Sequence, residues 1–259
     1  MNNQPFSVTY IGGPTVIFEV GGLKLMTDPT LDEAGSFIRL NEHMTEKKLK
    51  GPAINPEGFV DVVLLSHDHH FDNLDNAGRA YLTEVGVVLT TRSGAERLGA
   101  NSMGLKPGEY REFVLPTGGK LIIEATPARH GPAGIEPITG EVIGFHLSIL
   151  QETSQSIYIT GDTVYYNAIE KLAERINPAY VFIFAGAARP RGPFNLTMST
   201  NDALDTAFAF ERAMIVPIHS EGWSHYTENN DNLREAFDIL GIGKRLMLLE
   251  PGMPTKLFN

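Results

Sequence analysis

The run Ser66-His67-Asp68-His69-His70-Phe71-Asp72-Asn73 places three imidazoles and two carboxylates within eight residues. Packing has no use for such a cluster, whereas neutral imidazole and carboxylate suit zinc, iron or manganese. The run follows the apolar segment Val60-Asp61-Val62-Val63-Leu64-Leu65, so a buried strand ends by presenting ligands in a loop. Four more polar residues are placed in the same way. Asp28 follows Leu25-Met26-Thr27, His130 follows a strand beginning at Leu121, Asp162 follows Ile157–Gly161, and His219 follows Ile215-Val216-Pro217-Ile218. Strand ends are rigid and can bring together residues far apart in the chain. Alone, a histidine past a strand is usually a hydrogen-bonded structural residue, and Gly-Asp-Thr is a turn or helix cap. Taken together, they point to a metal site.

The elements that must position these residues are legible as apolar runs and glycine turns. Phe6–Ile11, Thr15–Val20 and Leu23–Thr27, separated by Gly12-Gly13-Pro14 and Gly21-Gly22, predict a meander. Residues 30–58 lack periodicity and predict an irregular insert, a lid or wall for the site. Helical spacing covers Leu74–Val85, and Ser93 is the expected cap of a helix ending at Leu98. Strands are expected at Val87–Thr90, Tyr110–Leu115, Lys120–Thr126, Val142–Leu150, Ser156–Thr160, Ala179–Phe184, Met214–Pro217 and Arg245–Leu249. Helices are expected at Val164–Ile176, Asn201–Glu211 and Asn229–Leu240. Strands first and alternation afterwards favour layered sheets with helices outside, in one domain spanning 1–259.

The chain has 259 residues, a net charge of −10 and no cysteine. Thiolate ligands and disulfides are therefore excluded, and any metal must be held by nitrogen and oxygen. The acidic balance argues against nucleic acid or an anionic membrane as partner. A signal-like start and long apolar runs are missing, so the expected location is cytoplasmic and the expected partner a small-molecule substrate. Homo-oligomerisation is left open.

The order of histidine cluster, later His, later Gly-Asp and final His resembles the metallo-β-lactamase superfamily, whose pattern is His-x-His-x-Asp-His. Thr15-Val16-Ile17, Leu25-Met26-Thr27-Asp28-Pro29 and Ser66-His67-Asp68-His69 most resemble the branch of L-ascorbate-6-phosphate lactonase and related hydrolases. The resemblance spans about residues 6 to 250. It implies an α/β fold, a four-layer αββα sandwich, with one or two divalent ions at the sheet edges, zinc first and manganese or iron as alternatives. It carries His67, His69 and His130 to one metal, Asp162 to the bridging position, and Asp72 and His219 to a second. Asp72 would also orient water and shuttle its proton. The chain departs from the pattern twice. Two residues, His70 and Phe71, separate His69 from Asp72, so a reading backwards from Asp72 makes His70 the ligand instead. Asn73 stands where the family has a histidine, so the resemblance implies a second metal that binds weakly, is a harder ion such as manganese, or is absent.

Arg129, Arg189 and Arg191 are candidates for substrate contacts through bidentate capture of carboxylate or phosphate, and so is His225. The loops 131–140 and 187–198 and the insert would set the substrate. His43 and His146 read as structural or exposed. Glu221 either orients a ligand or is solvated, and Trp223 closes the pocket or packs beneath the last loop. The expected function is hydrolysis of a small-molecule ester, lactone or phosphodiester by metal-activated water. Cleavage of a β-lactam or other amide, and a non-catalytic metal- or ligand-binding role, are the alternatives.

Overall fold

The computed structural model describes residues 6–39 and 45–258, so His43 lies outside the described residues. Strands β1 (Ser7–Gly12), β2 (Thr15–Val20) and β3 (Leu23–Thr27) form the expected antiparallel meander. A small hairpin of β4 (Phe37–Arg39) and β5 (Thr45–Lys47) lies within the insert. Strand β6 (Val62–Leu64), helix α1 (Asn76–Tyr81), β7 (Val87–Thr91), α2 (Arg92–Leu98) and β8 (Ser102–Leu105) follow. The second half holds β9 (Tyr110–Val114), β10 (Lys120–Pro127), α3 (Glu136–Thr139), β11 (Ile143–Leu150) and β12 (Ser154–Ile159). It ends with α4 (Asn167–Arg175), β13 (Tyr180–Phe184), α5 (Thr200–Ala209), β14 (Met214–Ile218), α6 (Asn230–Ile239) and β15 (Pro254–Lys256).

Two mixed sheets result, ordered β15-β1-β2-β3-β6-β7-β8 and β14-β13-β12-β11-β10-β9. The two-residue period of each strand decides which layer a side chain joins. In β13, Phe182 and Phe184 enter the core between the sheets, while Val181 and Ile183 face the helices. In β6, Val62 and Leu64 point to the central core and Val63 points outward beneath the α1 region. Helices α4, α5 and α6 cover the outer face of the second sheet through Ile169, Leu172, Ala203, Ala207, Leu233 and Phe237. The layers are therefore α, β, β and α, as the resemblance implied.

Three local expectations shift. Helix α2 is capped by Thr91, whose hydroxyl accepts from the Gly94 amide, rather than by Ser93. Helix α4 begins at Asn167 because Tyr166 is extended, with φ −160° and ψ 171°, while the amides of Val164 and Tyr165 donate to the Arg129 carbonyl and the Asp202 carboxylate. The expected strand at Arg245–Leu249 is reduced to one bridge between Leu246 and Ile215. The chain then crosses to the other sheet, where β15 pairs with β1.

Candidate metal centre

Parallel strands β3 and β6 end side by side, and the loops they release lock together. The Ser66 amide and hydroxyl both donate to Asp28 Oδ1, at 2.9 and 2.6 Å. With its proton on Asp28, the Ser66 hydroxyl accepts from His67 Nδ1 at 2.9 Å, which leaves His67 Nε2 bare. Beyond β10, His130 Nδ1 donates to the Leu196 carbonyl at 2.8 Å, which bares His130 Nε2 in the same way. Both bare nitrogens lie 2.9 Å from His70 Nδ1. One ring nitrogen carries at most one proton, so at least one of these contacts sets lone pair against lone pair. Asp162 Oδ2, 3.5 Å from His130 Nε2 and 3.9 Å from His67 Nε2, is buried without a hydrogen-bond partner. Three nitrogens and an oxygen converge with too few protons to join them. A cation relieves that arrangement, and the donor set fits zinc, iron or manganese.

Asp162 reaches this point because Gly161 takes a φ of 62° where a Cβ would lie 2.5 Å from the Ile143 carbonyl oxygen. His219 adopts a φ of 55°, costly for a bulky side chain by on the order of 1–3 kcal/mol, while its amide donates to Gly13 at 2.7 Å. Its ring spans two carboxylates, Nδ1 at 3.4 Å from Asp162 Oδ1 and Nε2 at 3.4 Å from Asp72 Oδ2. His225 Nε2 lies 2.9 Å from the same Asp72 oxygen. Asp72, Asp162 and His219 thus form a second ligand group, and Glu46, Asp72 and His225 a third.

Electrostatics follow from this geometry. Burial, reinforced by neighbouring imidazoles, keeps His67 and His70 neutral well below the usual histidine range. Burial likewise lowers His130. Burial opposes the charge on His219, but Asp162 and Asp72 outweigh it and raise the ring to about 9. His225 is raised by Asp72 against the same burial. Asp72 stays ionised well below the usual carboxylate range because His225 and His219 overcome its burial. Burial dominates at Asp28, pushed up to about 8, and at Glu46, pushed up to about 7 with Asp72 adding to the effect.

Of the residues singled out in the sequence, His67, His70, Asp72, His130, Asp162 and His219 are brought together. His69 is not among them: its Nε2 meets the Thr139 carbonyl, its Nδ1 is 3.7 Å from Asp68, and Gly140 packs against the ring. Asp68 is held by Arg97. Arg129 lies with its guanidinium 4.4 Å from the Tyr166 ring centre and donates to the Gly131 carbonyl, while Arg189 donates to Asn195 at 2.6 Å. His225 is drawn against Asp72 rather than left at the rim. His146 is buried in β11 opposite Glu124, Glu221 pairs with Lys50, and Trp223 packs edge-on against Phe71. Glu46 had no signal in the sequence, since a lone glutamate in an aperiodic segment looks solvated. It lines a cleft of about 60 Å³ with Ile38, Phe71, Pro190, Arg191 and Leu196, so the insert does form a wall.

A model of the beta-lactamase superfamily domain matches residues 24–220, well over half of the chain. The chain belongs to this superfamily. Relatives include the protein YddR of Bacillus subtilis, 22% identical over 95% of this chain and 98% of its own. A metal-dependent hydrolase of Carboxydothermus hydrogenoformans is 27% identical over 95% and 97%. Among solved structures, an isothiocyanate hydrolase from Delia radicum gut bacteria superposes with a TM-score of 0.82 at 24% identity, covering 98% of this chain and all of that one. Clustered metal ligands at the sheet edges of this superfamily fold support a metal-dependent hydrolase. No helix among the described residues is long and apolar enough to cross a membrane.

Proposed function

We propose that the chain is one hydrolytic unit that cleaves a small-molecule ester, lactone or phosphodiester. The observation that carries this reading is the convergence of bare His67 Nε2 and His130 Nε2 on His70 and unpartnered Asp162. His67, His70, His130 and Asp162 would hold a divalent ion, with zinc the first choice for three nitrogens and an oxygen and manganese or iron the alternatives. Bound there, the ion supplies a Lewis acid and an acidified water.

The chain's own residues supply the remainder. Asp72, kept ionised by His225 and His219, is a carboxylate able to orient water and take up its proton, a role typically worth roughly 10²–10⁴-fold. Ile38, Phe71 and Leu196 line the cleft with apolar surface, and Arg191 offers a charge at its wall. Lactones enter through the resemblance to the lactonase branch. Isothiocyanates join the substrates to test through the likeness to the solved hydrolase named for them.

Metal-stripped protein should take up zinc, manganese or iron on titration and hydrolyse at least one member of a panel of lactones, aryl phosphodiesters, sugar phosphates, isothiocyanates and β-lactams. His70→Ala should remove about one metal equivalent, while His69→Ala keeps the full metal content. Protein that binds no metal overturns the reading, and loss at His69 with retention at His70 overturns the ligand set.

A further inference from the structure

We infer that Arg191 is the anion-binding residue of the cleft, and that the substrate carries a carboxylate or a phosphate monoester beside the bond that is cleaved. The inference rests on the proposed hydrolytic reading and names the class of substrate within it. Of Arg129, Arg189 and Arg191, the first two are occupied. Arg129 lies against Tyr166 and donates from Nε to the Gly131 carbonyl, and Arg189 donates from Nε to Asn195. Arg191 lines the cleft with His70, Asp72 and His130, and among the described residues its guanidinium has no hydrogen-bond or ion-pair partner. A guanidinium presents a planar fork of N–H donors that matches the paired oxygens of a carboxylate or phosphate.

The loop between β13 and α5 holds Arg191 in place. Its base is closed by the Ala187 amide on the Met198 carbonyl at 3.0 Å, the Ala188 amide on the Thr197 hydroxyl at 2.9 Å and the Leu196 amide on the Ala188 carbonyl at 2.9 Å. Arg189 and Asn195 brace it from side to side at 2.6 Å. The Leu196 carbonyl in turn accepts from His130 Nδ1 at 2.8 Å, so the loop that orients an ion ligand also positions Arg191. The surroundings favour an anion there. Ile38, Phe71 and Leu196 give the cleft apolar walls, beside which opposite charges attract more strongly than in open water. Of the carboxylates on the cleft, Asp72 is held by His219 and His225, and Glu46 makes no ion pair with Arg191. A net charge of −10 repels an anionic substrate from the molecule at large, so its capture requires a local cation.

Zinc-treated protein of measured metal content is titrated by calorimetry with glutarate and with glycerol 2-phosphate, with glutaramide and glycerol as uncharged controls. Wild-type protein should bind at least one of the anions and neither control, and the anion preferred tells carboxylate from phosphate. Arg191→Gln should bind that anion about tenfold more weakly at the same metal content, with a circular-dichroism melt that shows a folded protein. Arg191→Lys keeps the charge but loses the fork, and should fall between the two. Equal affinity in wild type and Arg191→Gln would show that the ion alone holds the anion and would overturn the inference, as would binding of neither anion. Turnover separates this result from the proposed function. For an aryl ester of glutaric acid against its methyl-capped neutral analogue, the ratio of kcat/KM values should fall about tenfold in Arg191→Gln, through KM. Hydrolysis with no such change in ratio would leave the proposed function standing and sink the role of Arg191. Anion binding that depends on Arg191, in protein that takes up no zinc or cleaves nothing, would do the reverse.

Discussion

His67, His70 and His130 are buried as neutral rings, whereas His219 and His225 are held charged by carboxylates. This division sets the pH behaviour of metal-free protein. His219 rises from 6.5 to about 9 on folding. The folded state therefore binds its proton more tightly, and the stability it contributes is complete below 6.5 and lost as pH rises toward 9. Asp28, raised from 3.8 to about 8, loses its contribution in the same direction over a window that ends near 8. Metal-free protein should therefore melt at progressively lower temperature from pH 6.5 to 9, as read by calorimetry in chelator. A flat or rising melting temperature over that range would contradict the assignment. The proposed preference for His70 over His69 also belongs to this scale. Adjacent histidines are equivalent by type, and what separates them is that His69 Nε2 meets the Thr139 carbonyl while His70 Nδ1 faces His67 and His130.

Among the elements, the β4–β5 hairpin depends on a buried tether. Asp75 Oδ1 accepts from the amides of Leu31 and Gly78 at 2.9 Å, and Oδ2 accepts from Asp32 at 2.8 Å and Lys48 Nζ at 2.9 Å. One carboxylate thus caps α1, pins the start of the insert and neutralises the lysine that follows β5. Asp75→Ala removes a cap worth about 1 kcal/mol. It also strands a buried ammonium, and breaking such a pair costs about 3–5 kcal/mol. Urea unfolding should show a loss of at least about 3 kcal/mol by these rules, and a loss below about 1 kcal/mol would sink the tether argument. The meander was legible because glycine pairs and alternating apolar residues are local signals. The hairpin was not, because its strands are short and owe their register to Lys48, Asp75 and the bridge to Trp223. The misplaced final strand has the same cause: Arg245–Leu249 is apolar enough for a strand, but it is bridged only at Ile215 among the described residues, and the pairing with β1 falls to residues 254–256.

For the whole molecule, the contact that joins the halves is between sheets. Phe18 of β2 and Phe182 of β13 meet edge to face with ring centres 4.9 Å apart, both fully buried. Phe18→Ala should cost about 3–5 kcal/mol through lost burial and a residual cavity. Metal content per folded molecule should be unchanged, since the ligands lie at the sheet edge. Equilibrium unfolding with metal analysis checks both, and loss of metal at full stability would show that the site and the core are coupled differently. By itself the sequence determined the layer architecture and the ligand types at the ends of β3, β6, β10, β12 and β14. Strand periodicity and strand ends are properties of neighbouring residues, so they survive in one dimension. Only the tertiary structure decided that His70 faces the cluster, that His225 turns onto Asp72, and that Glu46 enters the site. Each depends on which distant segments the two packed sheets bring together, and convergence of that kind leaves no spacing for a sequence to display.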